Sequence, residues 1–120
     1  MILIVEDDKS SRESLAAALD DLDLPVKTVA CGDDAQVLLK SYQPKVIITD
    51  LMMKPGNGVE LAKHVSLNYP EIAVILVTAF GNSAMAAEVM SYGAVACVEK
   101  PIDLDKLEEA LERALSPKDN

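Results

Sequence analysis

Short apolar runs alternate along the chain with stretches in which apolar residues recur every three or four positions. The runs are Ile2–Val5, Val26–Ala30, Val46–Asp50, Ala73–Thr78 and Val95–Glu99. Most are rich in Val or Ile and lack polar alternation, a pattern that predicts strands buried on both faces, as in a parallel sheet. Helix start signals lie between them. Ser10 and Glu13 have the spacing of a capping box, and Leu15, Leu19 and Leu22 follow at helical intervals. Asp33 with Gln36, and Asn57 with Glu60, repeat the start signal. A fourth helix is expected from Ser83 to Tyr92, ended by Gly93. Asp103 can cap a fifth, with Leu104, Leu107, Leu111 and Leu115 as its apolar stripe.

Strands that alternate with helices in this way predict one doubly wound α/β domain, a five-stranded parallel sheet with five helices over its two faces. Residues 1–116 are assigned to this domain. Pro117 stops the last helix, and 117–120 are a tail that frays or the start of a linker. Strand order does not follow from the pattern alone.

Length and composition narrow the possible functions. A chain of 120 residues, half of them hydrophobic, can bury its own core without a disulfide or structural metal. Its formal charge of −9, with no Lys/Arg cluster, argues against binding duplex nucleic acid, where affinity comes from basic groups. No apolar run approaches the ~20 residues of a membrane helix. Met1 leads straight into Ile2-Leu3-Ile4-Val5 and then acid, without the basic and apolar regions of a signal peptide. A cytoplasmic location is therefore expected. Cys31 and Cys97 sit beside apolar residues without metal-ligand spacing; buried thiols are favoured over a disulfide.

In an open parallel sheet, ligands bind beyond the carboxyl ends of the strands, where the strand order reverses. The expected strands end on Glu6-Asp7-Asp8, Ala30-Cys31-Gly32, Asp50, Thr78 and Glu99-Lys100-Pro101. Acids after the first and third strands, a hydroxyl and a lysine are thereby brought to one edge. Clustered carboxylates repel one another and raise each other's pKa. A divalent cation relieves this, and magnesium is commonly held by one or two carboxylates together with phosphate oxygens. The lysine and hydroxyl can take the remaining oxygens of a phosphoryl group, and a carboxylate can itself be the nucleophile that forms an aspartyl phosphate. No glycine-rich nucleotide loop follows the first strand. An acid-nucleophile phosphatase on a similar sheet would need its two acids two residues apart and a cap, whereas Asp7 and Asp8 are adjacent.

Four motifs carry a resemblance: Val5-Glu6-Asp7-Asp8, Ile48-Thr49-Asp50-Leu51-Met52-Met53 running to Gly58, Val77-Thr78-Ala79-Phe80-Gly81, and Glu99-Lys100-Pro101-Ile102-Asp103. Each alone is weak; in this order, each at a strand end, they are specific. The chain resembles a response-regulator receiver domain of two-component phosphorelays from Met1 to about Leu115. The wording around Thr78 and from Gly93 to Asp103 is similar to receivers of nitrogen-regulatory-type transcription activators. The resemblance implies a flavodoxin-like fold with strand order 2-1-3-4-5. It also implies that Asp50 is the phosphoacceptor, charged by a sensor histidine kinase or phosphotransfer protein. Asp7 would bind Mg2+ (or Mn2+) directly, Glu6 through water, and Met52 through its backbone carbonyl. Thr78 would be the switch hydroxyl, Lys100 the phosphoryl partner, and Lys100–Pro101 a cis peptide bond.

The same resemblance implies that phosphorylation changes the surface formed by helix four, strand five and helix five. That change would control an output domain or partner, with homodimerisation a further option there. The chain would catalyse only its own phosphorylation and dephosphorylation, and any control of transcription would need a separate DNA-binding part. Met52 and Phe80 occupy the positions that govern water access to the phosphoryl group, and their apolar side chains are expected to slow its hydrolysis. Cys97 stands where the family has an aromatic ring, so output is expected to rest more on Thr78 and helix four. Lys54 and Pro55 invert the usual place of proline, an expected local kink. The lone His64 has no partner for a metal site and reads as an ordinary helix residue. Met52, Met53, Met85 and Met90 read as core or loop filler rather than a partner groove. Asp20, Asp21, Asp23, Glu108, Glu109 and Glu112 read as solvated surface.

Overall fold

The computed structural model describes residues 1–53 and 57–116. The expected kink at Lys54 and Pro55, the stop at Pro117 and the tail to Asn120 lie outside the described residues. Strands β1 (Ile2–Val5), β2 (Val26–Val29), β3 (Val46–Asp50), β4 (Ala73–Thr78) and β5 (Ala96–Glu99) alternate with helices α1 (Lys9–Asp21), α2 (Gly32–Leu38), α3 (Gly58–Asn68), α4 (Ala84–Ser91) and α5 (Leu104–Leu115). The strands form one sheet in the order β2-β1-β3-β4-β5, and every pair is parallel. The doubly wound fold and the order 2-1-3-4-5 are thus both present. The order reverses between β1 and β3, and those two strands end side by side.

Successive strand residues face opposite sides of the sheet. Ile2, Ile4, Ile48, Ile75 and Val77 meet Leu15 and Leu19 of α1 and Leu107, Ala110 and Leu111 of α5. Leu3, Val5, Ile47 and Val74 meet Ala35, Leu39, Leu61 and Val65 on the other side. A third cluster of Leu51, Ala62, Leu76, Ala86 and Val89 joins α3 to α4, with Met85 and Cys97 at its margin. The inner strands are apolar runs because both their faces are covered. The edge strand β2 is not buried on both faces: Lys27 and Thr28 are exposed. The apolar stripe of α5 is also shorter than expected. Leu107 and Leu111 are buried, whereas Leu104 and Leu115 at its ends are exposed.

Three helices begin at the residues their sequences mark. Asn57, Ser83 and Asp103 each accept a hydrogen bond from a backbone N–H in the first turn. The first two helices do not follow the expected caps. Asp8, not Ser10, caps α1, its carboxylate accepting from the Ser11 N–H at 2.8 Å. Cys31, not Asp33, caps α2, its Sγ accepting from the Asp34 N–H at 3.5 Å. Both cysteines are free thiols. Gly93 has φ 96°, the left-handed conformation that ends α4 without steric cost.

Gly58 ties α3 to the end of β3. Its N–H donates to the Leu51 carbonyl at 2.8 Å. A Cβ there would lie 2.5 Å from the Asp50 carbonyl oxygen and 3.0 Å from Leu51 Cα. Both neighbours are backbone, so neither can swing aside. Gly58→Ala is expected to destabilise the domain by about 1–3 kcal/mol, the usual cost of overpacking, measured by urea unfolding. Cys97 provides a second test. Burial, and then the Glu99 carboxylate, push its thiol pKa above the ordinary value. Because the thiolate is the reactive form, iodoacetamide should label Cys97 more slowly in the folded chain than in urea. The midpoint of its rate–pH profile should lie higher in the folded chain. A midpoint at or below that of the unfolded chain would contradict this environment.

Candidate functional site

Val5 of β1 lies opposite Thr49 of β3 in the parallel register. The residues that follow, Glu6 and Asp50, therefore leave neighbouring strands at the same level. Carboxylate oxygens of Glu6, Asp7 and Asp50 all lie within 4.8 Å of one another. Such a group can hold a hard divalent cation, because its donors are all oxygen and their mutual repulsion favours one. Asp7 is exposed, Asp50 is largely covered, and Glu6 is 1 % exposed. Asp8 is not part of this group. Its carboxylate is spent on the helix cap, and that bond holds its pKa below the ordinary value.

Lys100 answers the negative charge from the far side. It follows β5, and its ammonium reaches past the end of β4 to Asp50 Oδ2 at 2.9 Å and Glu6 Oε2 at 3.1 Å. The other oxygen of each carboxylate is also occupied. Asp50 Oδ1 accepts from the Leu51 N–H at 2.7 Å, and Glu6 Oε1 accepts from the Asp8 N–H at 3.2 Å. Burial, together with the Asp50 carboxylate, raises the pKa of Glu6. Burial would lower that of Lys100, but its bonds to Asp50 and Glu6 outweigh this and raise it. A lysine shared by two carboxylates is thus held charged.

Thr78 ends β4 fully buried, and its Oγ1 accepts from the Phe80 N–H at 3.0 Å. Its carbonyl accepts from the Lys100 N–H at 2.9 Å, which ties the hydroxyl-bearing strand end to the lysine. The Lys100–Pro101 peptide is cis. Met52 and Phe80 are 51 % and 60 % exposed. Cys97 pairs with Leu76 in the β4–β5 register, at the α4 side of the sheet. His64 lies on α3 against the Tyr69 ring, with Asn68 as its hydrogen-bond partner. Of the residues singled out in the sequence, Glu6, Asp7, Asp50 and Lys100 converge directly. Thr78 lies beside them, whereas Cys97 belongs to the packing behind β4 and β5.

Two features of the site carry little signal in the sequence. The Glu6–Lys100 pair spans nearly the whole chain, and only the order of the strands brings it together. Arg12, one turn into α1, donates from Nη1 to the Glu6 carbonyl at 2.8 Å. The one available hint was its place four residues after the acidic run.

Residues 2–112 match the model of the response regulator receiver domain. The DNA-binding transcriptional regulator NtrC of Salmonella typhimurium is 31% identical over 116 residues, covering 97% of this chain and 25% of that protein. The transcriptional regulatory protein ZraR of the same organism is 31% identical over 115 residues, covering 96% of this chain and 26% of that protein. The chain thus spans about a quarter of the length of these curated relatives. Among solved structures, the receiver domain of NtrX from Brucella abortus superposes with a TM-score of 0.90 at 27% identity, over 98% of this chain and 100% of that one. The match to the family model over nearly the whole chain, on a sheet that gathers three acids and a lysine at its reversal point, is decisive: this chain belongs to the response regulator receiver domains, with relatives among the nitrogen-regulatory-type transcriptional regulators.

Proposed function

We propose that this receiver accepts a phosphoryl group on Asp50 and reports its presence by a change of shape. The observation that carries this reading is the shared lysine. Asp50 Oδ2 and Glu6 Oε2 both lie within hydrogen-bond reach of Lys100, beside a third carboxylate, Asp7. The donor would be a phosphohistidine on a sensor histidine kinase or phosphotransfer protein. An Asp50 carboxylate oxygen attacks phosphorus, the N–P bond breaks, and the electron pair leaves on the imidazole. Asp50 is suited to this because its carboxylate is oriented from two sides, by the Leu51 N–H and by Lys100. Such positioning contributes much of the acceleration available to a reaction with a loose transition state.

Glu6, Asp7 and Asp50, with the Met52 carbonyl, are the groups that would hold Mg2+ or Mn2+; the all-oxygen carboxylate donors fit a hard cation. When bound, the cation supplies charge neutralisation for the phosphoryl oxygens. Lys100 keeps its contact with the Asp50 side and offers its remaining donors to the arriving group. The Thr78 hydroxyl now accepts from the Phe80 N–H. In bonding a phosphoryl oxygen it releases that contact, and the segment leading to α4 moves. Gly81 in that segment lies against the Glu99 side chain, so movement there is felt at the end of β5.

The surface that responds is the one formed by α4, β5 and α5. A hollow of about 300 Å³ opens there between Met90, Cys97, Val98, Lys106 and Arg113, where a small thiol stands in place of a ring. This surface would bind an output domain or partner, or a second copy of the chain. The names of the relatives make transcription the output we favour, through a DNA-binding part distinct from this acidic domain. No helix among the described residues is long and apolar enough to cross a membrane, and we place the chain in the cytoplasm.

Incubation with acetyl phosphate and Mg2+ should add a single phosphoryl group, seen as one mass increment by intact-mass spectrometry. Asp50→Asn should gain none, and unchanged labelling of that variant would refute the assignment. Removing the cation with EDTA should lower the wild-type rate by at least an order of magnitude, since the carboxylate cluster would then repel the anionic donor. Thr78→Ala should still be labelled, but the amide shifts of α4 and β5 on phosphorylation should shrink. Full-size shifts in that variant would exclude the hydroxyl as the switch.

A further inference from the structure

We propose that Arg12 is a positioning residue for the cation end of the site, acting through the Glu6 carbonyl that its guanidinium holds. The proposal rests on reading the Glu6, Asp7 and Asp50 cluster as a cation site. Asp7 is the exposed member of that cluster. Among the described residues no hydrogen bond reaches its carboxylate, so its direction is set by its backbone. That backbone is pinned on both sides. Before it, the Glu6 N–H donates to the Val29 carbonyl at 3.1 Å, and the Glu6 carbonyl accepts from Arg12 Nη1 at 2.8 Å. After it, the Asp8 N–H donates to Glu6 Oε1 at 3.2 Å, and the Asp8 carboxylate is fixed on the Ser11 N–H.

The Glu6 carbonyl belongs to the peptide that joins Glu6 to Asp7. Rotation of that peptide turns Asp7 toward or away from Asp50. β2 holds the amide on the Glu6 side of the residue, but it cannot hold this peptide. Arg12 is the side chain that does, reaching back across the first turn of α1. It is half-buried, and its own helix is anchored at Asp8. The pin and the residue it orients are therefore parts of one closed turn. Such outer partners orient the groups that contact a metal, and their loss commonly lowers metal affinity.

Charge and position make opposite predictions here. As a charge, the guanidinium repels an incoming cation, so removing it should tighten Mg2+ binding. As a clamp, it presents Asp7, so removing it should weaken binding. Isothermal titration of Mg2+ into the unphosphorylated chain measures the sign directly, without reference to phosphoryl transfer. Arg12→Met is expected to bind Mg2+ roughly tenfold more weakly than wild type, while its thermal unfolding without metal stays close to wild type. Arg12→Lys, which keeps the charge but loses the planar fork, is expected to fall between the two. An affinity in Arg12→Met equal to or tighter than wild type overturns the proposal. If Arg12→Met does not fold, Arg12→Lys decides: weakened binding supports the clamp, and wild-type affinity overturns it. Absence of Mg2+ binding in the wild type would instead remove the cation reading itself, which separates the two failures.

Discussion

The constraint on which the rest of this structure depends is the gathering of negative charge at one point of the sheet edge. Parallel register between β1 and β3 leaves Glu6 and Asp50 at the same level. Nothing in the backbone can separate them, because the inner strands are locked by packing on both faces. The charge must therefore be answered from elsewhere, and Lys100 does so with one ammonium shared between two carboxylates. The arrangement is not a stabilising ion pair in the ordinary sense. Desolvating three charged groups costs much of what their attraction returns, and only a well-bonded set makes the balance tolerable. Every oxygen of Glu6 and Asp50 has a donor. One lysine still leaves the group of three carboxylates with net negative charge. Glu6 and Asp50 are satisfied in their hydrogen bonds, but the cluster is not satisfied in its charge, and that residual charge favours a cation.

The same constraint explains why a phosphoryl group could act as a signal here. A group that arrives at Asp50 must share Lys100 and recruit whatever other donors are near. The nearest candidate by position is the Thr78 hydroxyl, which ends the neighbouring strand and is presently used by the Phe80 N–H. A ligand shifts a conformational equilibrium only through differential contact with its two states. In the proposed switch, the differential contact is the exchange of one acceptor role for one donor role at Thr78. The Lys100 N–H is bonded to the Thr78 carbonyl. Movement at either residue is therefore transmitted to the other through one hydrogen bond, without a long chain of intermediates.

The fold and much of the site were legible in the sequence because their causes are local or periodic. Continuous apolar runs mark the inner strands. Asn57, Ser83 and Asp103 mark their helices because each is a good capping side chain at the start of a helical pattern. The first two helices were harder for a physical reason. Asp8, Ser10 and Ser11 compete at the start of α1, and the geometry of the β1 exit, not propensity, selects Asp8. Cys31 is a poor acceptor by type, yet the extended backbone at its position puts its sulfur before the Asp34 N–H. Lys27 and Thr28 interrupt the β2 run, but the alternation of strands and helices does not reveal which strand lies at the edge. The contact between Lys100 and Glu6, at opposite ends of the chain, has no periodic signature at all. It follows from strand order, which the helix and strand pattern alone leaves undetermined.

Glu6 shows how side-chain length is used at this edge. Its carboxylate is buried while its backbone remains part of the turn leaving β1. That length lets one residue face two ways: Oε1 folds back to the Asp8 N–H, and Oε2 extends to Lys100. A shorter acid could not serve both without moving the backbone. Glu6 therefore joins the turn that carries Asp7 to the lysine that serves Asp50, and it does so through a single side chain. The two ends of the proposed chemistry, cation on one side and phosphoryl group on the other, are then mechanically linked. In the proposed chemistry, displacement of Lys100 toward a phosphoryl oxygen would release Glu6 Oε2, and with it the acid that braces the Asp7 turn. The charge that makes the site unstable on its own is also what couples its parts.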